Sequence, residues 1–295
     1  MNMDEIVKAL TEKKVVSREV LQLECEQDGD IYGGYIFRLN VAGVCHVHSL
    51  ETGELISTFS LDKIDAIRPH SNSVSFGNAF FSEEDEFPLL YSNVYNNYSS
   101  AEDRREGTCC VYRIFRENGQ FSSQLVQVIQ VGFADTPLWR SEKGEDVRPY
   151  GNFVVDRAAN CLHAFTMRDA EEQTRFFSFD LPRAGDGILD PQYGVRLVKL
   201  DVADIKAQFD CEYFRYLQGA CCSGGLIFSV EGFSDAPNLP WLHVISLSEK
   251  KVVADLDLGT LGLCIEPEFI TVYNDRLFYS DCGGMLYELL PAQNI

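Results

Sequence analysis

Apolar and polar residues alternate in short runs along most of this chain, and the period changes once. Near the start, Ile6, Val7 and Leu10 recur at helical spacing behind Asp4, which predicts a short helix capped by Asp4. Beyond Val20 the period falls to two. Runs rich in Val, Ile, Phe, Tyr and Leu at 35–39, 44–48, 125–129, 153–156, 176–179, 226–230, 242–247 and 277–280 are separated by Gly, Asn and Asp turns and read as strands.

The turns join these runs in pairs. Glu51-Thr52-Gly53-Glu54, Glu117-Asn118-Gly119-Gln120 and Ser248-Glu249-Lys250-Lys251 each separate two apolar runs by a few polar residues, as hairpins do. Segments 44–61, 109–131 and 241–258 therefore share one order of parts: alternation, turn, alternation. A second repeated element opens each unit. Arg68-Pro69-His70-Ser71-Asn72 resembles Arg148-Pro149-Tyr150-Gly151-Asn152, and Glu266-Pro267-Glu268 keeps the proline. Arg215 to Gln218, and Ile31 with Tyr32, take the corresponding places in two more units.

Five such starts give roughly one unit per 50–60 residues, above the about 40–50 of a four-stranded propeller blade. Polar or Gly/Pro-bearing stretches at 80–86, 96–107, 135–146, 184–194 and 233–238 account for the excess as inserted loops. The pattern predicts an all-β, five-bladed β-propeller with a short N-terminal helix. It occupies 1–295 as one domain, with 1–18 as a helical extension, and residues 19–26 add an outer strand to the last unit, 268–291. Radial closure removes exposed sheet edges. A six-bladed propeller and a β-sandwich are the alternatives.

Charge narrows the partners. With 45 Asp+Glu against 25 Lys+Arg the net charge is −20, and no Lys/Arg cluster is present to drive nucleic-acid binding or attraction to an anionic membrane. No stretch reaches the length of a membrane span, and the first residues lack the apolar core of a signal peptide, which places the chain in the cytoplasm. The 10 cysteines include no CxxC pair, and neighbours such as Cys109 and Cys110 face opposite sides of a strand. They are expected to be free, buried thiols.

Several residues are candidates for chemistry. His46 and His48 share a strand face and could begin a metal site with His70 or His163, but the spacing supplies no third ligand and no metal is assigned. The run Glu83-Glu84-Asp85-Glu86 lacks the spacing of a calcium loop. Nucleophile elbows, P-loops and zinc-protease motifs are missing, so the sequence assigns no catalytic residue and no cofactor. The strand starts collect Tyr32, Arg68, His70, Asn72, Arg148, Tyr150, Asn152, Gln218 and Glu268 at one mouth of the channel, as candidate contacts for a polar ligand.

Three segments carry a family resemblance: RPHSNSVSFG, EFPLLYSNVY and VYRIFRENGQFSSQLVQVIQV. They resemble uncharacterised β-propeller proteins of intestinal anaerobic bacteria, in which a PHxN strand precedes an FPxLY strand and an I-x-R strand. The resemblance covers 30–156 most clearly, and YLQGACCSGGLIFSVEG fits the same group. It implies a propeller and no particular activity.

The expected function is a non-catalytic binding or interaction propeller for a small polar ligand, a glycan or a protein partner. The alternative is a carbohydrate-active enzyme at the channel mouth, a glycoside hydrolase or lyase, which would need Glu266 or Glu268 to face Asp156 or Asp30 across the scissile bond. Asp156 ends its strand, which puts it at the opposite mouth from Glu268 and weighs against that pairing.

Overall fold

Five sheets surround one axis in a computed structural model of the chain, which describes residues 2–24, 27–95, 107–131, 152–165, 174–211 and 217–292. Helix α1 (Met3–Thr11) leads into strand β1 (Val15–Gln22). Blade one is β2 (Gly29–Tyr32), β3 (Tyr35–Leu39), β4 (Val44–Ser49) and β5 (Leu55–Ser60). Blade two is β6 (Val74–Phe76), β7 (Leu90–Val94), β8 (Thr108–Glu117) and β9 (Gln120–Val131). Blade three takes β10 (Asn152–Asp156), β11 (Cys161–Phe165) and β12 (Thr174–Asp180), then an inserted pair, β13 (Ile188–Asp190) and β14 (Val195–Leu200), before its last strand β15 (Ala207–Cys211). Blade four is β16 (Leu217–Ser223), β17 (Leu226–Glu231), β18 (Trp241–Ser246) and β19 (Lys251–Asp257). Blade five is β20 (Pro267–Tyr273), β21 (Arg276–Asp281) and β22 (Met285–Pro291), completed by β1 from the other end of the chain.

The ring closes on the last unit as the sequence predicts, but the closing strand is Val15–Gln22 and not 19–26. β1 pairs antiparallel with β22 from Val15↔Pro291 to Gln22↔Met285. The inner strands neighbour one another in the order β2, β6, β10, β16, β20 and back to β2. At the β8–β9 hairpin Asn118 and Gly119 both have positive φ, the backbone that a tight Asn-Gly turn requires.

Alternation explains the core. Each blade is buried on both faces, so successive residues of one strand serve different interfaces. Ile227 of β17 packs with Val154, Phe165 and Phe176 between blades three and four, whereas its neighbour Phe228 packs with Ile270 and Tyr279 between blades four and five. Cys109 and Cys110 split in the same way between the two faces of blade two. That is why these strands read as nearly continuous apolar runs. The nine cysteines within the described residues are free thiols.

Four details depart from the sequence expectation. The helix is capped by Asn2, whose side chain accepts from the Glu5 N–H in a capping box, and Asp4 lies inside the first turn. The helical extension is shorter than 1–18, because β1 already begins at Val15. Tyr32 ends the inner strand of blade one instead of starting it, since Gly33 and Gly34 form the turn to β3. The stretch 184–194 is not wholly a loop: it contains β13, and β14 then pairs parallel with β9, so that blade two carries six strands. No helix among the described residues is long and apolar enough to cross a membrane.

Candidate functional site

The inner strands begin in a band of mutually bonded polar side chains. Asn152 Nδ2 donates to Gln218 O at 2.6 Å, and Asn72 Nδ2 lies 3.4 Å from both Leu217 O and Gln218 Oε1. Gln218 Nε2 donates to Glu266 Oε1 at 2.7 Å, and Gln27 Nε2 reaches Glu268 Oε1 at 3.3 Å. Asp28 Oδ2 accepts from Val74 N, and Ser73 Oγ donates to Phe153 O. These contacts link all five blades. Gly219 sits where β16 and β20 nearly touch: a Cβ there would lie 2.6 Å from Glu268 O.

Of the predicted ligand contacts, Asn72, Asn152, Gln218 and Glu268 are thus buried in this band and engaged with neighbouring blades. Tyr32 lies apart, with its ring 5.4 Å from that of Phe76 and 6.1 Å from Phe87. Arg68 is exposed, and His70 is half-buried against Tyr95. Arg148 and Tyr150 lie outside the described residues. The bonding argues for bracing at Asn152. Asn152→Ala is expected to cost about 1–3 kcal/mol by leaving Gln218 O without its donor, read as a lower urea midpoint. An unchanged midpoint would return Asn152 to the role of a ligand contact.

At the other end of the inner strands lies a cavity of about 130 Å³. Every inner strand contributes to it: Asp30 from β2, Ser75 from β6, Asp156 from β10, Cys221 and Cys222 from β16, and Thr271 from β20. Arg157, Ser223 and Gly224 complete the polar wall. Asp30 is the most heavily used group here. Its Oδ1 accepts from Ile31 N at 2.8 Å and Thr271 Oγ1 at 2.7 Å, and its Oδ2 accepts from Phe76 N at 2.7 Å and from Arg157 Nη2. A carboxylate has about four lone-pair sites, and Asp30 spends one on each of four donors. Arg157 is fixed in turn by its Nε bond to Phe76 O. Ser75 Oγ, by contrast, is buried and has no partner among the described residues.

Asp156 forms a second focus. Its Oδ1 accepts from Ala158 N and Ala159 N, which shapes the β10–β11 turn. The register pairs Asp156 with Cys161 and Val154 with His163, so Asp156 and His163 share one face of blade three. Across the blade interface stands Cys222. One ligand atom from each of Asp156, His163 and Cys222 lies within 4.8 Å of the others. His163 Nδ1 is 2.8 Å from Ser178 Oγ, and burial lowers the imidazole pKa to about 4. Burial first, and the nearby Asp156 second, push the Cys222 thiol well above its ordinary value.

The other candidates separate. His46 and His48 belong to blade one, with His48 Nδ1 at 3.2 Å from Gly53 O, while His163 stands in blade three. In the run 83–86, Asp85 takes a two-pronged bond from Arg113 and Glu86 pairs with Arg116 at 2.6 Å. Glu266 and Glu268 do not line the cavity that Asp156 lines.

No protein-family model and no curated protein matches the chain. Among solved structures, a glutaminyl cyclase from Myxococcus xanthus is similar over 94% of this chain and 96% of its own, with a TM-score of 0.53 at 11% identity. The computationally designed protein Ika8 is similar over 92% of this chain and 99% of its own, with a TM-score of 0.37 at 10% identity. The first likeness is one of fold, and at that identity it transfers no residue role.

Proposed function

We propose that this propeller is a binding protein that seats a small polar molecule, or the polar terminal group of a glycan or protein partner, in the cavity where the inner strands end. The observation that carries the proposal is Ser75 Oγ, a buried hydroxyl without a partner among the described residues, in a cavity to which all five inner strands contribute. Buried polar groups are normally bonded, so a ligand group is the natural complement. The volume, about 130 Å³, suits one small ring or one chain end.

Binding is favoured over two-carboxylate hydrolysis because Asp30 already accepts four hydrogen bonds and has no lone pair left to take a proton. On this reading Asn72, Asn152, Gln218 and Glu268 hold the ring that shapes the cavity. A cytoplasmic setting belongs to the same proposal, supported by the free thiols.

The test is a thermal-shift screen of monosaccharides, amino acids and short peptides, followed by calorimetry on Ser75→Ala. At least one compound should raise the melting temperature of the wild type. The variant should keep the wild-type stability within about 0.5 kcal/mol yet lose about 1 kcal/mol of binding free energy, some five-fold in Kd. Equal affinity for both proteins, or no compound that binds, would remove the proposal.

A further inference from the structure

We propose that Asp156, His163 and Cys222 form a site for a divalent transition metal, of the zinc or cobalt type, at the interface of blades three and four. The three side chains come from two strands of one hairpin and from the inner strand of the next blade, and their ligand atoms already lie within 4.8 Å of one another. The chemistry of the set is specific. An imidazole nitrogen, a thiol sulfur and a carboxylate oxygen suit zinc-like ions, whereas calcium and magnesium take oxygen alone.

A second observation points to a ligand. His163 is 5% exposed, and its Nε2 has no hydrogen-bond partner among the described residues. Its Nδ1 is held by Ser178 Oγ at 2.8 Å, and Ser178 lies directly opposite His163 on β12. A metal-ligating histidine has this arrangement: one nitrogen is fixed by an outer partner, and with Nδ1–H donating to Ser178 Oγ the other nitrogen carries the free lone pair. Without a metal, that buried nitrogen has no partner among the described residues.

The charges balance as well. A divalent ion meets the Asp156 carboxylate and the Cys222 thiolate, for a neutral set. Forming the thiolate breaks the Cys222 S–H bond, forms a metal–sulfur bond and passes the proton to solvent, so binding releases about one proton per ion. Asp156 and Cys222 line the cavity described above, so a fourth coordination position on that side could be filled by water or by a bound molecule.

The metal site shares the cavity wall with the proposed small-molecule site but uses different anchoring groups. Ser75 takes no part in it, so the two ideas can fail separately.

The experiment uses the full chain, dialysed against chelator and titrated with Co²⁺ and Zn²⁺ under reducing conditions. Wild type should bind one equivalent, show the near-ultraviolet charge-transfer absorption of a cobalt–thiolate bond, and melt at a higher temperature with Zn²⁺ than without. Cys222→Ser should abolish that absorption. His163→Gln, which keeps a polar side chain of similar size, should weaken binding at least ten-fold. Ser178→Ala should weaken binding by about 10-fold or more as a positioning change. Cys282→Ser, at a half-buried cysteine outside the set, should leave all three readouts unaltered. Wild type that neither shows the absorption nor gains stability with Zn²⁺ would overturn the proposal. So would an absorption that survives Cys222→Ser, since the ion would then sit on another thiol. If a variant fails to fold, the wild-type stoichiometry and proton release still decide.

Discussion

Asp30→Ala is expected to lower the stability of the propeller by about 2–5 kcal/mol, since each buried donor left without its acceptor costs about 1–3 kcal/mol. The reason lies in how many blades that carboxylate serves. Asp30 sits on blade one and accepts from Thr271 of blade five, Phe76 of blade two and Arg157 beside blade three. Alanine leaves a backbone N–H and a hydroxyl unsatisfied on two other blades and strips Arg157 of its counter-charge. Asp30→Asn should fare little better, because its amide nitrogen would face a donor. Urea unfolding measures the loss, and amide exchange at Phe76 should accelerate in parallel. A loss below about 1 kcal/mol would mean that these bonds do not hold the blades together.

Arg38→Met is expected to be comparably damaging, at about 3–5 kcal/mol. Arg38 is 0% exposed, donates through Nε and Nη2 to Gln27 O and through Nη1 to Ser280 Oγ, and lies 5.1 Å above the Phe269 ring. Methionine keeps much of the volume and removes the charge, which separates packing from electrostatics. The forked geometry is also beyond lysine, so Arg38→Lys should not restore stability.

The damage should depend on pH in a stated direction. Burial raises the Asp28 carboxyl well above its ordinary value, and burial likewise raises Asp281; Arg38 opposes both shifts. A carboxyl whose folded pKa is raised contributes stability that is present below the unfolded value, about 3.9, and is lost as pH rises through the folded value. Removing Arg38 raises both folded values further. The gap between wild type and Arg38→Met should therefore narrow as pH falls toward about 4 and widen as pH rises from there. A gap independent of pH would show that packing alone was lost.

The architecture was legible because the inner and middle strands bury both faces, and the hairpin turns punctuate the resulting apolar runs. The closing strand was visible in part: the sequence predicts an outer strand at 19–26 on the last unit, and the pairing there runs from Val15 to Gln22. Residues 195–200 escaped because their alternation is amphipathic and exposed, and nothing local says that they pair with β9, more than 60 positions earlier. The candidate site divides along the same line. Asp156 and His163 lie on one hairpin, and with a turn at 157–160 their shared face follows from spacing alone. Cys222 joins them only through the packing of two blades, a tertiary fact. The strand-start amides recur in the sequence as a polar set, but spacing cannot distinguish a group that meets a ligand from one that bonds the next blade.

The hairpin that blade three lends to blade two has a consequence for synthesis on the ribosome. β9 is complete at Val131, but the outer edge of its last five residues, Gln127 to Val131, is covered only when β14 ends at Leu200, 69 residues later. At about 5–20 residues per second the interval is about 3–14 seconds. Throughout it the last five residues of β9 present unpaired backbone groups, the kind of edge that invites association with another chain. Once β14 has docked, that stretch is paired from Gln127 to Val131, and β13 in turn pairs with Val195 to Leu197. The nascent chain thus carries this exposed edge through mid-translation, and the arrival of the inserted hairpin removes it.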